Sequence, residues 1–398
     1  MKLALPVLCV LGLNDILIDT DPGIDDVMSI FMALGTPDVN VRAITMTFGN
    51  TVLKNVARNI VSIFHALDLQ KNATGKEKYR NNNIPRLAVG ADKPLKGPRY
   101  TGGYFHGVDG LGNLTITHPE LIADDFQDYF NYDFDKALKT KRRKPKKTSH
   151  RFIASPLNAV DEILYQLKSL PPLTLTIVAI GPLTNIALAI QKDPVTMSRA
   201  KRIVVMGGAL LVPGNITPMS EFNFYVDPYA VNVVFNATRG FKKHRYYNLL
   251  QQPNPDFSKP HPLRVTLVPV NLTHTTLMTQ ANMEAYLLPI RNQPIPTFFA
   301  NMLTIPFQRS EKIHGLALHD PVAMGIALDI MRPRPLIKRY SIQVEEDSKI
   351  ARGLCVIDLR SKAKPTPTHD DINIEVAYAT PRPELFQYAV LKASFPRN

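Results

Sequence analysis

Residues 15–26 read Asp-Ile-Leu-Ile-Asp-Thr-Asp-Pro-Gly-Ile-Asp-Asp, which places Asp19, Asp21, Asp25 and Asp26 within a span of eight residues. Carboxylates crowded in a partly dry loop repel one another, and a hard cation with oxygen ligands, Ca²⁺ or Mg²⁺, relieves that repulsion. Helix capping and a solvated turn would account for one or two aspartates, not four. An EF-hand is excluded, because neither the Asp-x-Asp-x-Asp-Gly order nor a glutamate at the twelfth loop position is present. A phosphatase of the haloacid-dehalogenase type would share Asp19-Thr20-Asp21, but Pro22-Gly23 and Asp25-Asp26 do not fit it.

The segments around this turn say how it is positioned. Ile16 to Ile18 is aliphatic and suits a buried parallel strand, and Pro22-Gly23 stops it at its carboxyl end, where open α/β sheets bind their ligands. A helix is expected over 27–34, a strand over 41–47, a helix over 52–67 and a strand over 87–90. Beyond a glycine-rich loop at 97–113, the pattern predicts a helix over 156–170, a strand over 173–180 and a helix through Ile190. A strand over 202–206, a helix over 227–235, a strand over 265–270 and a helix over 320–328 follow. A last strand, 372–378, is expected at the sheet edge. This alternation predicts an α/β fold, an open, mostly parallel central sheet flanked by helices, Rossmann-like in kind. It would run from 15 to 398 as one unit, with surface insertions near 122–151 and 238–263. Several strand ends carry polar or turn residues, namely Asp21, Asn50, Ile180-Gly181, Met206-Gly207 and Asn271.

The chain has 398 residues, 45% of them apolar, enough for a large core. Its net charge of +13 invites a nucleic-acid reading, but Lys139, Lys141, Arg142, Arg143, Lys144, Lys146, Lys147 and Arg151 supply much of it in one run. Such a run is expected to be a solvated, mobile loop, and with no aromatic residues between the cations base stacking has no support. Nucleic-acid binding is therefore not expected. Cys9 and Cys355 form no metal or disulfide pattern, and no apolar run is long enough to span a bilayer. Residues 1–14 read as a leader or a signal segment: a cytoplasmic location is expected, with secretion through Leu3 to Leu13 as the alternative.

His319-Asp320-Pro321 alone would read as a capped helix start. Its company changes that: Asp19-Thr20-Asp21-Pro22-Gly23-Ile24-Asp25-Asp26, Thr47-Phe48-Gly49-Asn50, Gly181-Pro182-Leu183-Thr184-Asn185, Met206-Gly207-Gly208, Glu221-Phe222-Asn223, Asn271-Leu272-Thr273-His274 and His319-Asp320-Pro321. In this order, over roughly residues 15 to 330, the set resembles the inosine-uridine nucleoside hydrolase family, in its fungal form. The resemblance implies a hydrolase that cuts the N-glycosidic bond of ribonucleosides with one tightly held Ca²⁺. By motif match, Asp21, Asp26, Asp320 and the carbonyl of Ile180 would hold the ion. Asp25, Asn50 and Asn223 would bind the 2′- and 3′-hydroxyls, Asn215 and Glu221 the 5′-hydroxyl, and Met206 would pack on the sugar. Water on the ion would lose its proton to Asp21 as it attacks the anomeric carbon. His319 is the first candidate for protonating the leaving base, followed by His314, His274 and His106. The family also implies a dimer or tetramer.

The chain has no Trp, so the tryptophan sandwich around the base that purine-specific members of the family use is impossible here. Asn271 stands where many members carry Asp, which leans toward pyrimidines. The competing reading from another class is a catalytically silent nucleoside- or ribose-binding protein, against which the presence of Asp21 argues.

Overall fold

The Ile16–Ile18 run is buried on both sides because successive strand residues face opposite layers: Ile16 and Ile18 enter one apolar cluster and Leu17 the other. The structure, a computed structural model, describes residues 14–79, 83–102, 105–134, 145–252, 255–309, 315–357, 359 and 374–396. Residues 1–13 of the leader, the cations from Lys139 to Lys144 and His314 lie outside the described residues.

The strands are β1 (Asn14–Thr20), β2 (Val39–Met46), β3 (Arg86–Val89), β4 (Ile153–Ala154), β5 (Thr176–Ala179), β6 (Arg202–Met206) and β7 (Val265–Val268), then β8 (Leu277–Met278), β9 (Leu316–Ala317), β10 (Leu336–Tyr340), β11 (Ile342–Val344), β12 (Cys355–Ile357) and β13 (Ile374–Ala379). Nine of them form one sheet in the order β10-β13-β7-β6-β5-β1-β2-β3-β4. Every neighbouring pair is parallel except β10 with β13. Two antiparallel ribbons, β8–β9 and β11–β12, stand apart. The α/β expectation holds, with β1 in the middle between β5 and β2, so the Asp-rich turn opens at the centre of the sheet's carboxyl edge.

The helices used below are α1 (Ile24–Gly35), α2 (Leu53–Thr74), α3 (Ala159–Ser169), α4 (Thr184–Lys192), α5 (Phe222–Val226), α6 (Pro228–Asn236), α7 (Lys243–Leu250), α8 (His319–Ala327) and α9 (Phe386–Ser394). All of α1 is buried. It packs against α8 and α9, and the fit to α9 is so close that a Cβ at Gly35 would lie 2.0 Å from the carbonyl oxygen of Ala393.

Four expectations need correction. The helix expected from Val27 begins at Ile24, so Asp25 and Asp26 belong to its first turn. The segment 372–378 is not at the edge: its described part, β13, is covered by β10, an exposed strand whose Leu-Ile-Lys-Arg-Tyr sequence shows no alternation. The strand expected from Leu173 starts at Thr176. Leu173, after Pro171-Pro172, takes a left-handed φ of 63° and packs with Phe241 and Tyr246, part of a small cluster that roots the 238–263 insertion.

At the described end of the basic run Lys146 and Lys147 are exposed, as expected of a solvated run, but Arg151 is not. Arg151 is 9% exposed in its side chain and donates to Asp68 at 2.6 Å, Glu77 at 2.9 Å and the carbonyl of Leu67, while Lys146 and Lys147 pair with Asp128 and Asp125. Its neutralising acids come from α2, from Glu77 just beyond it and from upstream in the insertion, which is why the local sequence looked unbalanced. Asp68 and Glu77 are themselves partly exposed, so Arg151→Ala is expected to cost about 1–2 kcal/mol, read as a lower urea midpoint with an unchanged slope.

Candidate functional site

Asp26 is the fixed point of the site. Thr20 Oγ1 (2.5 Å) and the amide of Asp21 (3.2 Å) donate to its Oδ1, and the amide of Gly23 (2.9 Å) and Asn50 Nδ2 (3.0 Å) donate to its Oδ2. These donors come from the end of β1, the turn and the loop after β2, so one carboxylate ties all three together. Glycine at position 23 leaves the N-cap of α1 without a side chain, and Asp26 reaches back to the amide of Gly23 itself. The next amide, that of Ile24, donates to Nδ1 of His106 at 3.1 Å.

Asp21 is fully buried beside it, and its two oxygens differ. Oδ2 accepts the amide of Asn50 at 2.6 Å, whereas Oδ1 is buried with no hydrogen-bond donor. Two glycines make the slot: a Cβ at Gly49 would lie 2.0 Å from Oδ2, and one at Gly181 would lie 2.6 Å from Oδ1. Asp19 points to the other face of the sheet, where Thr45 and Asn185 donate to its Oδ1. Asn185 also donates to Met46 O and accepts the amide of Ala91, so this pair locks β1, β2 and the end of β3 together.

Asp25, Asp26 and Asp320 converge, each offering an oxygen within 4.8 Å of the others. Asp320 arrives on the first turn of α8. Among the described residues no lysine or arginine pairs with these carboxylates or with Asp21. Burial, reinforced by the neighbouring acids, pushes the carboxyls of Asp21 and Asp320 well above the usual range. Asp25 and Asp26 are raised to about 6, again chiefly by burial. Buried, uncompensated carboxylates, with donorless oxygens on Asp21 and Asp25, are a donor set that fits a hard divalent cation.

Above this floor opens a cavity of about 290 Å³. Asp25, Asn50, His106, Ile180, Met206, Asn215, Glu221, Asn223, His274, His319 and Asp320 all line it, and Asp21 and Asp26 lie fully buried behind the lining. Among the lining residues, Gly102, Phe105, Ile216, Phe222 and Ala317 were not anticipated. Phe222 stood inside a quoted motif and Phe105 beside His106, so adjacency was the available signal. Asn223 Nδ2 donates to the carbonyls of Ile180 and Met206, each at 3.3 Å. Glu221 accepts the amides of Asn223, Gly208 and Phe224, and burial raises it to about 7. Asn215 Oδ1 accepts the amide of Phe222.

The histidines are held neutral by burial, which lowers His106 to about 4 and His319 to about 3, and lowers His274 as well. His106 Nδ1 accepts the hydrogen bond of the Ile24 amide, so the proton of its neutral ring sits on Nε2. His319 Nδ1 lies 2.8 Å from Thr273 Oγ1, and the ring meets His274 edge on at 5.4 Å. As neutral rings these groups are hydrogen-bond donors more than imidazolium acids. Asn271 does not line the cavity: its amide clasps Leu210, donating to the carbonyl at 2.8 Å and accepting the amide at 3.0 Å, a two-way bond that Asp could not make.

Residues 16–387 match the model of the family described as inosine-uridine preferring nucleoside hydrolase. The chain is 32% identical over 319 residues to probable uridine nucleosidase 1 of Oryza sativa subsp. japonica, covering 78% of this chain and 75% of the rice protein. It is 29% identical over 364 residues to the inosine-uridine preferring nucleoside hydrolase of Crithidia fasciculata, covering 91% and 92% of the two chains. The solved structure of a plant nucleoside hydrolase shares the fold at a TM-score of 0.72 and 24% identity, covering 97% of this chain and all of that one (100%).

The crowded carboxylates make the cation-free protein pH-sensitive. Asp25 and Asp26, at about 6, keep protons that the unfolded chain, at 3.8, has released, so the folded state binds more protons and its stability falls as pH rises through that interval. Millimolar Ca²⁺ is therefore expected to raise the melting temperature of chelator-treated protein far more at pH 7.5 than at pH 4.5, as read by thermal shift at both pH values.

Proposed function

The chain belongs to the inosine-uridine preferring nucleoside hydrolase family, and from that premise we propose that it hydrolyses ribonucleosides to ribose and free base over a buried Ca²⁺, with Asp21 as general base. It is an N-glycosyl hydrolase of ribonucleosides by family. The ion and the roles of individual residues are the proposal. The observation that carries it is the asymmetry of Asp21: one oxygen is fixed by the amide of Asn50, and the other is buried, donorless and free to take a proton.

Asp26 and Asp320 would hold the ion together with Asp21 and the carbonyl of Ile180, and Asp25 lies close enough to take part. When bound, Ca²⁺ supplies charge that orients the ribose hydroxyls and eases the loss of a proton from water beside it. The remaining work falls to the chain. Asp25, Asn50 and Asn223 face the cavity where they would bind the 2′- and 3′-hydroxyls, with Asn215 and Glu221 toward the 5′-hydroxyl and Met206 against the sugar. As the glycosidic bond lengthens, positive charge grows on the ribosyl ring, and carboxylates and amide oxygens already fixed around it are complementary to that charge. His319, His274 and His106 would donate hydrogen bonds to the departing base.

Asp21→Asn keeps the shape and removes the base, so kcat is expected to fall by about a thousandfold, with Ca²⁺-induced stabilisation retained in part. Reducing-sugar release from inosine, uridine and cytidine measures this; equal turnover in the variant and the parent would sink the assignment. Among the described residues no lysine or arginine lines the cavity, whereas Asp25, Glu221 and Asp320 do. Ribonucleoside 5′-monophosphates are accordingly expected to react at least about a hundredfold more slowly than the nucleosides, since a phosphate would meet like charge without a partner. Comparable kcat/KM values for uridine and its 5′-monophosphate would contradict this account of the wall.

A further inference from the structure

The β11–β12 ribbon lies outside the large sheet and carries none of the motif residues, yet its turn closes on the wall of the cavity. That wall is α5, five residues long with Glu221 as its N-cap, and Glu221, Phe222 and Asn223 face the cavity. So short a helix has little stability of its own.

Arg352 grips both of its ends. Nε donates to Tyr225 O at 2.9 Å and Nη2 to Val226 O at 3.3 Å, which satisfies carbonyls that a helix terminus leaves free. At the other end, the buried hydroxyl of Ser220, the residue before Glu221, donates to the carbonyl of Arg352. The guanidinium also reaches Glu346 O in the ribbon's own turn at 3.0 Å and Lys96 O in the loop leading to Gly102 at 3.3 Å. Gly353 permits this approach: its φ is +81°, and a Cβ there would lie 2.7 Å from the Cα of Tyr225. Four carbonyls from three segments around one planar fork is a geometry that arginine supplies and lysine, a point charge with three donors, does not.

We propose that Arg352 is a positioning residue for the reaction, its clasp on both ends of the Phe222–Val226 helix setting where Glu221 and Asn223 meet the ribose. The kinetic consequence rests on the hydrolase reading above; the clasp itself does not.

Arg352→Lys and Arg352→Gln test it in the full chain. Hydrogen exchange of the Asn223–Val226 amides is expected to quicken by about tenfold in both variants, while the amides of β1 and α1 are unchanged. Steady-state kinetics with uridine and inosine are expected to show KM raised by about tenfold with a smaller change in kcat, and Arg352→Lys failing to restore it. Unaltered exchange in the short helix overturns the clasp, and wild-type KM in variants that melt earlier overturns the positioning role. Full rescue by lysine would reduce the residue to its charge and also overturn the proposal. If the parent protein released no ribose, the hydrolase reading would fail, and the exchange result would still decide the clasp.

Discussion

A carboxylate with four donors on it, sealed from water, is the constraint on which the rest of this molecule turns. Asp26 draws the end of β1, the Pro22-Gly23 turn and Asn50 to one point. Because Asn50 is held there by its side chain, its amide is placed to fix Asp21. Because Asp26 sits in the first turn of α1, the same bonds set the direction of that helix and the reach of Asp25. The cluster is unfavourable electrostatically as it stands, and the fold accommodates it only by supplying aligned donors and leaving particular oxygens without any.

Around that floor the cavity is built from segments that have no reason to meet locally. His106 comes from the loop after β3, Asn223 from a short helix after β6, and His319 and Asp320 from a helix that follows most of the sheet. Several parts of the wall are fastened by bonds to backbone: His106 to the amide of Ile24, Asn223 to two carbonyls, Glu221 to three amides, and Arg352 behind them to four carbonyls. A cavity wall held in this way keeps its polar groups oriented before a substrate enters, which is the condition for electrostatic complementarity to a developing charge.

The four aspartates were legible because their crowding is a local property of the sequence, and β1 was legible because a strand buried on both faces is a continuous apolar run. Asp320, Glu221 and Asn223 were visible only through the order of motifs, since a lone His-Asp or Glu-Phe-Asn says nothing about where it folds. The edge strand β10 was missed because an exposed strand has no apolar period to read. Arg151 and Arg352 were illegible for a related reason. An arginine among loop residues looks solvated, and the partners that bury it lie dozens to hundreds of residues away. Asn271 shows the converse, a motif residue whose side chain serves the backbone of Leu210 and not the cavity.

The close fit of Gly35 to the carbonyl of Ala393 bears on when this site comes into being. The helix carrying Asp25 and Asp26 is made well before α8 and α9, which cover it. Until they arrive, α1 has an apolar face with nothing to pack on, and the acidic turn lacks Asp320. The central position of β1 adds to the delay, because β5 on its far side is made only after β2, β3 and β4. A nascent chain therefore carries Asp21, Asp25 and Asp26 for much of synthesis without the fold that gathers them with Asp320. The carboxylate cluster is complete only when the sheet has closed and α8 has docked, so its assembly is a late event of folding.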